Sequence, residues 1–237
     1  MNVEASQDTG MIEVGAARDG PFAAYRAVPA SGRGPGIVLA SEMFGVTAAM
    51  KLAADGFAAR GFPTYVPNLF WRYEPAGVLG YEGEDRATAF ARLERFDTDD
   101  AVADVRTTAT ALRKEASCDG RVVALGFCVG GRIAGAAAVE GAVDAAVGLY
   151  GLGVSRYGER LATLKTPLQL HYGLNDQHVP AEEIEAVRRL AAGNPNVDVH
   201  LYPGAGHSFA NPMRPTYDKA AAELAIDRAL AFLSARG

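Results

Sequence analysis

Short apolar runs alternate with amphipathic, alanine-rich stretches along most of this 237-residue chain. The apolar runs predict buried strands, and the stretches with apolar residues at helical spacing predict helices. Strands that alternate with helices of this length are typical of an α/β fold, with a mostly parallel sheet between two helical layers. The predicted strands cover 37–40, 62–66, 122–125, 143–149, 168–172 and 197–202, with an antiparallel edge pair near 11–15 and 23–28. The predicted helices cover 48–60, 99–116, 130–139, 181–192 and 216–235.

One segment, residues 68–98, interrupts this alternation. It runs through proline, glycine and aromatic residues to a polar helix near Glu84–Glu94. A long excursion in a compact domain is usually a lid or a binding loop, and a surface insertion without a role is the alternative. Because no linker rich in Pro, Gly or Ser divides the chain, residues 1–237 are expected to form a single domain.

The charge and the cysteine content exclude several classes of function. A net charge of −5 argues against a nucleic-acid or anionic-membrane surface. Only two cysteines occur, without metal-ligand spacing, so neither a disulfide framework nor a zinc site is expected and a reducing cytoplasm is indicated. The N-terminus lacks the apolar core of a secretory signal, and no apolar run reads as a membrane span. A monomer is the default expectation, with a dimer left open.

The strand at 122–125 leads into Gly126-Phe-Cys128-Val-Gly130, which follows the G-x-S-x-G pattern of a nucleophile elbow with cysteine in place of serine. Glycines suit the sharp turn because side chains would clash there. The N-terminus of the next helix favours a thiolate and a developing oxyanion, for which Val129 N–H is a candidate donor. The alternative is that Cys128 is a small buried hydrophobe.

Two further residues favour the nucleophile over that alternative. Asp176 lies in the turn after the predicted strand 168–172, and His207 lies in the glycine-rich loop after 197–202. In the α/β-hydrolase fold, the acid and the histidine follow the nucleophile in this order. The carboxyl ends of parallel strands meet at one sheet edge, where ligands bind. Cys128, His207 and Asp176 are therefore predicted to form a catalytic triad.

The stretch Ser41-Glu42-Met43-Phe44-Gly45 follows the predicted strand 37–40. In this fold the second oxyanion donor comes from that position, so Met43 N–H is the candidate. A carboxylate beside an oxyanion hole repels developing charge, which suggests that Glu42 controls the ionisation of the cysteine. A solvated carboxylate at a loop tip is the alternative.

Together these motifs resemble the dienelactone hydrolase (carboxymethylenebutenolidase) family over nearly the whole chain. The resemblance rests on Glu42-Met-Phe-Gly45, Gly126-Phe-Cys128-Val-Gly-Gly131, Asp176 with Val179-Pro180, and Gly206-His207-Ser-Phe209. It implies an α/β-hydrolase fold, a Cys-His-Asp triad, and hydrolysis of dienelactone to maleylacetate without a metal or an organic cofactor. It also implies that the resting thiol lies against Glu42 and that substrate binding releases it as a thiolate.

The family binds the substrate carboxylate with two arginines, and this chain matches the pattern in part. Arg86 matches the first, and Phe90 and Leu93 share its helical face where the dienelactone-specific members have tyrosine and tryptophan. The second arginine is replaced by Asn211. Arg214 is a candidate substitute for it, and Phe44 and Trp71 are further candidates for contact with the substrate.

The sequence therefore leaves three candidate functions. The first is an enzyme, a carboxylic ester hydrolase that acts on dienelactone through Cys128. The second is a broader esterase for small esters or lactones, which the arginine missing at Asn211 favours. The third is a non-catalytic thiol redox sensor or ligand-binding protein on the same fold. A small-molecule substrate is the expected partner in the two enzymatic functions.

Overall fold

The computed structural model of the chain describes residues 8–17 and 19–236. Its strands are β1 (Asp8–Ala17), β2 (Gly20–Val28), β3 (Gly34–Ala40), β4 (Thr64–Pro67), β5 (Cys118–Phe127), β6 (Ala145–Leu149), β7 (Leu168–Gly173) and β8 (Val197–Tyr202). Its helices are α1 (Ala48–Ala58), α2 (Gly83–Glu94), α3 (Thr98–Leu112), α4 (Val129–Val139), α5 (Glu159–Ala162), α6 (Ala181–Ala191) and α7 (Lys219–Arg236).

Within the described residues, the strands form one eight-stranded sheet in the order β1-β2-β4-β3-β5-β6-β7-β8. The pairs β1/β2 and β2/β4 are antiparallel, whereas β3/β4 and the successive pairs from β5 to β8 are parallel. Helices flank the sheet. The predicted α/β fold with a mostly parallel sheet is confirmed, and so is its antiparallel N-terminal edge.

The chain divides into two compact units, one up to Val122 and one from Val123. In the first unit, every residue of β3 is buried, as expected for a strand that is covered on both faces. Helix α1 begins after Thr47, whose hydroxyl accepts a hydrogen bond from Met50 N–H. Helix α3 begins after Asp97, whose carboxylate accepts from the amides of its first turn. These caps satisfy backbone donors that a helix leaves unpaired at its start.

In the second unit, β6 and β7 are buried along their whole length. Burial on both faces explains why their sequences are continuous apolar runs rather than alternating ones. Each fully buried Val or Leu side chain stabilises the fold by about 1.5–3 kcal/mol. The loops that follow β5, β7 and β8 carry Cys128, Asp176 and His207.

The structure departs from the sequence prediction at a few boundaries. Strand β5 begins at Cys118 rather than at 122, and α3 ends at Leu112 rather than at 116. Strand β3 begins at Gly34 rather than at 37, the last helix at Lys219 rather than at 216, and β6 at Ala145 rather than at 143. The 3₁₀ turn at Ser155–Tyr157 and helix α5 were not predicted. Within the excursion at 68–98, α2 spans Gly83–Glu94 as expected. The single-domain organisation stays a prediction. No helix among the described residues is long and apolar enough to cross a membrane.

Candidate active site

Cys128 occupies a sharp turn between β5 and α4. Its backbone dihedrals are φ 57° and ψ −120°, a region that residues with a side chain rarely adopt. Holding a residue in such a conformation costs on the order of 1–3 kcal/mol and persists only where the surrounding structure enforces it. The cysteine is partly exposed. Cys118, at the start of β5, is buried.

The glycines around this turn allow backbone segments to approach closely. A Cβ atom built on Gly126 would lie 2.0 Å from the carbonyl oxygen of Gly130, and one on Gly131 would lie 2.6 Å from that of Leu149. Both distances are far inside van der Waals contact, so neither position tolerates a side chain. The elbow therefore depends on the glycines that the sequence motif contains.

His207 and Asp176 form a buried pair. The Nδ1 of His207 donates to Oδ2 of Asp176 at 2.8 Å, and the Asp176 side chain is 1% exposed. The other carboxylate oxygen, Oδ1, accepts from the amides of His178 at 2.7 Å and Val179 at 3.0 Å. With both oxygens engaged, the carboxylate is fixed in the orientation that holds the imidazole.

The protonation of this pair follows from its surroundings. Burial alone would lower the pKa of His207, but hydrogen bonds to Asp176 and Cys128 and the charges of these groups raise it to about 10. Burial would raise the pKa of Asp176, yet the bonds from His207 and from two amides hold it below its usual value. These pKa shifts favour the protonated form of His207 at neutral pH. The imidazolium then lies between the Asp176 carboxylate and the Cys128 sulfur.

Aromatic contacts fix the orientation of the His207 ring. The rings of Tyr150 and His178 meet it edge-on, with centroid distances of 5.1 and 4.8 Å. The Thr216 hydroxyl donates to the His207 carbonyl oxygen. His178 was not among the candidate site residues that the sequence indicated. It instead supplies an amide to Asp176 and a ring to His207, and its place two residues after the acid is the only signal that could have indicated this.

The start of α4 offers backbone donors next to Cys128. The amides of Gly131 and Arg132 donate to the Cys128 carbonyl oxygen at 2.9 and 3.3 Å. The first N–H groups of a helix have no acceptor within the helix. Val129 is the first residue of α4, so its N–H is positioned by the fold as a donor for an anion. Its part in an oxyanion hole stays a prediction.

In the first unit, Glu42, Met43 and Phe44 lie in the loop after β3. All three are buried, and Glu42 is 2% exposed. The alternative of a solvated carboxylate at a loop tip is therefore wrong. A buried carboxylate is costly unless polar groups satisfy it, so the burial of Glu42 is typical of a specific role. The ring of Phe44 packs edge-on against Tyr81 with a centroid distance of 4.8 Å.

A residue that the sequence analysis missed, Arg92 of α2, holds this loop. It is completely buried, and its guanidinium donates to the carbonyl oxygens of Pro75 at 2.8 Å, Gly77 at 3.0 Å and Met43 at 2.6 Å. Burial lowers its pKa to about 10. Arg92 thus connects the excursion to the predicted oxyanion loop. An arginine on an amphipathic helix reads as exposed, so the pattern gave no signal of this role.

The α2 residues that are predicted to contact the substrate are exposed to different degrees. Arg86 and Phe90 are exposed, and the guanidinium lies 4.9 Å from the centre of the Phe90 ring. Leu93 is partly buried. Their contact with a substrate stays a prediction, and so does the same expectation for Phe44.

Trp71 and Asn211 have structural contacts that the sequence did not indicate. The indole N–H of Trp71 donates to Asp104 at 2.9 Å, and its ring stacks on Phe22 at 5.8 Å. Asn211 is buried, and its side-chain oxygen accepts from Met213 N–H at 3.0 Å. These contacts give both residues a packing role, and substrate contact by either one stays untested.

A mostly parallel sheet with a nucleophile-elbow turn after a central strand defines the class of the α/β-hydrolases. Residues 22–236 match the model of the dienelactone hydrolase family. The chain belongs to that family, so it is a hydrolase of the class that acts on esters or lactones. The resemblance of its motifs is thereby confirmed.

Individual relatives support this assignment over most of the chain. The carboxymethylenebutenolidase of Pseudomonas sp. (strain P51) is 35% identical over 223 residues, 94% of this chain and 93% of that protein. The carboxymethylenebutenolidase of Pseudomonas putida is 34% identical over 214 residues, 90% and 91% of the two chains. A crystal structure of a candidate dienelactone hydrolase from Klebsiella pneumoniae matches the fold with a TM-score of 0.81 at 24% identity, covering 98% of this chain and all of the other.

Proposed function

We propose that this hydrolase cleaves the enol-lactone ester of dienelactones to maleylacetate, with Cys128 as nucleophile, His207 as acid and base, and Asp176 as the group that orients His207. The observation that carries the proposal is the hydrogen-bonded chain from Asp176 through His207 to Cys128. An imidazolium beside a sulfur favours the thiolate, which is the nucleophilic form of cysteine. The carboxymethylenebutenolidases named above support the choice of substrate.

The proposed reaction has two steps. The Cys128 thiolate attacks the ester carbonyl, with the amides of Val129 and Met43 as oxyanion donors, and the ring C–O bond then breaks, which leaves an enolate that is still attached to the acyl group on Cys128. Water next attacks the thioester while the C–S bond breaks. The proton of the water passes to the attached enolate, either directly or through His207 after His207 has given its own proton to that enolate. The thiolate is thereby restored. No metal or organic cofactor takes part, and Glu42 is the proposed partner of the resting thiol.

The substrate-binding residues are proposed from the family pattern. Arg86, Phe90 and Leu93 would contact the substrate from α2, and Phe44 would do so from the loop after β3. Asn211 stands where the dienelactone-specific members have an arginine. The loss of one charge-assisted contact weakens the selection of a carboxylated substrate. That departure favours, as the second candidate function, a broader esterase for small aryl esters or lactones.

A non-catalytic thiol sensor is the third candidate. A sensor requires an oxidisable cysteine but neither an oriented histidine nor its carboxylate. The Asp176–His207 pair, with both carboxylate oxygens engaged, therefore favours catalysis. A cytoplasmic location and a monomeric state remain part of the proposal.

The test is steady-state hydrolysis of cis- and trans-dienelactone beside p-nitrophenyl acetate. The variant is Cys128→Ala, and its matched control is Cys118→Ala, which removes the buried cysteine instead. We expect dienelactone turnover that disappears in Cys128→Ala and persists in Cys118→Ala. Turnover of the aryl ester alone would favour the broader esterase. If the turnover of none of these substrates depends on Cys128, the proposed mechanism is overturned.

A further inference from the structure

Arg132 lies one helical turn beyond Cys128. Cys128 is the residue just before α4, and long side chains on a helix lean toward its N-terminus. The Arg132 amide donates to the Cys128 carbonyl oxygen at 3.3 Å. The guanidinium side chain therefore projects on the side of the helix where Cys128 stands. The charge of the cysteine acts on Arg132 and favours its cationic form.

A second arginine, Arg156, converges on the same place from the loop after β6. A Cβ atom built on Gly153 would lie 3.5 Å from Cδ of Arg132 and 3.6 Å from both Nε and Nη2 of Arg156. Atoms of the two side chains thus lie close to the same point beside Gly153. Gly153 has φ 89°, a conformation that favours glycine, so the close approach of the two cations is built into the loop.

The two arginines provide neither a negative charge nor a hydrogen-bond acceptor for each other's guanidinium groups. The Nε of Arg132 is buried, and among the residues that the structure describes it has no hydrogen-bond partner. Burial of the guanidinium and the charge of Arg156 both lower the pKa of Arg132. Arg156 is exposed, so water solvates its charge, whereas the buried N–H of Arg132 is unfavourable unless an acceptor such as an anion binds it.

The nearby carboxylate of Glu183, in the first turn of α6, does not provide that anion, because its oxygens are engaged elsewhere. Oε1 of Glu183 accepts from the amides of Gly153 at 3.0 Å and Ser155 at 2.9 Å. Oε2 accepts from the Ser155 hydroxyl at 2.6 Å. Glu183 therefore fixes the loop that carries Arg156, and it leaves the two guanidinium groups for another ligand.

We propose that Arg132 and Arg156 form an anion subsite that binds the carboxylate of the ester or lactone whose carbonyl Cys128 attacks. The proposal rests on the proposed function. A guanidinium and a carboxylate form paired, charge-assisted hydrogen bonds. Because Arg132 is only one helical turn from the nucleophile, the subsite selects small ester acids whose carboxylate is a few bonds from the scissile carbonyl. It would replace the contact that is lost at Asn211.

The kinetic test uses two substrates that differ only in charge, mono-p-nitrophenyl succinate and its methyl ester. The variants are Arg132→Gln and Arg156→Gln, and Arg160→Gln, an exposed arginine of α5 paired with Glu140, is the matched control. We expect the ratio of kcat/KM for the acid to that for the methyl ester to fall about tenfold or more in each variant. The control should keep the wild-type ratio. A loss that is equal for both substrates would overturn the proposal, because it would indicate support of the thiolate or of the fold.

A second readout does not depend on ester turnover. Cys128 is alkylated with iodoacetate, which is anionic, and with iodoacetamide, which is neutral, in the same variants. The ratio of the two rates should fall about fivefold or more when Arg132 or Arg156 is replaced. If the wild type hydrolyses neither ester but this ratio falls, the anion subsite stands and the proposed function fails. An unchanged ratio overturns the subsite.

Discussion

At the scale of single residues, the most informative contact is the bond between Asp176 and His207. Asp176→Asn keeps the shape of the side chain but removes the charge that raises the pKa of His207 and fixes its tautomer. On the proposed mechanism we expect turnover to fall by about 10³–10⁴-fold, as it does in hydrolytic triads that lose their acid. Steady-state kinetics measure the loss, and urea unfolding tests whether the fold is kept.

The matched control for this variant is Asp227→Asn, which makes the same chemical change at an exposed position of α7. It should leave turnover unchanged. Turnover near that of the wild type in Asp176→Asn would remove Asp176 from the triad and would leave it as a residue that only orders the loop.

At the scale of elements, Arg92 joins α2 to the loops that contain Pro75, Gly77 and Met43. Arg92→Leu removes three hydrogen bonds from a charged donor, each worth about 1.5–3 kcal/mol. It leaves the carbonyl oxygen of buried Met43 unpaired, whereas those of the exposed residues Pro75 and Gly77 can bond to water. The relief of a buried charge offsets part of this cost. We expect a net destabilisation of about 3 kcal/mol, measured by urea unfolding, with faster amide exchange across 75–80.

Arg95→Leu provides the control for α2. This arginine is exposed and makes one bond, to the Glu74 carbonyl oxygen at 3.1 Å. An exposed substitution of this kind usually changes the free energy of unfolding by less than about 0.5 kcal/mol. If the two variants had equal effects, the three bonds of Arg92 would not be what holds the excursion in place.

The elements themselves were largely predictable, because their periodicity is strong. Buried parallel strands such as β6 and β7 are continuous apolar runs, and the order of Cys128, Asp176 and His207 along the chain indicated the site. The turn and short helix at 155–162 escaped prediction because four residues of helix carry no periodic pattern. The buried contacts of Arg92 and Arg132 were not predicted, because charged residues on a helix are normally solvated. Only three-dimensional contacts distinguish such a cation from a surface one.

At the scale of the whole molecule, the His207–Asp176 pair makes stability depend on pH. A raised pKa of about 10 means that His207 stabilises the fold fully below its unfolded value near 6.5 and loses that contribution as the pH rises to about 10. The pKa of Asp176 is lowered, so its contribution is present above its unfolded value near 3.9 and is lost as the pH falls below that value. The pair therefore stabilises the protein most between about pH 4 and pH 6.5.

The measurement compares the free energy of unfolding of the wild type with that of His207→Gln from pH 4 to pH 10. We expect the advantage of the wild type to shrink steadily above pH 6.5. His200→Gln is the control, because burial lowers the pKa of His200 and its effect should be constant above pH 7. A constant difference for His207→Gln above pH 7 would mean that His207 is neutral in the folded protein.

The backbone at position 128 has a consequence for how this chain can change over generations. With φ at 57° and ψ at −120°, glycine would be the least strained residue there. Selection for stability alone would therefore favour glycine at this position. A side chain at this position lowers the margin by which the chain exceeds its stability threshold. On the proposed mechanism, Cys128 therefore persists only while its chemistry is selected. A lineage that no longer needs the reaction is expected to lose this residue early and to become more stable as it does so.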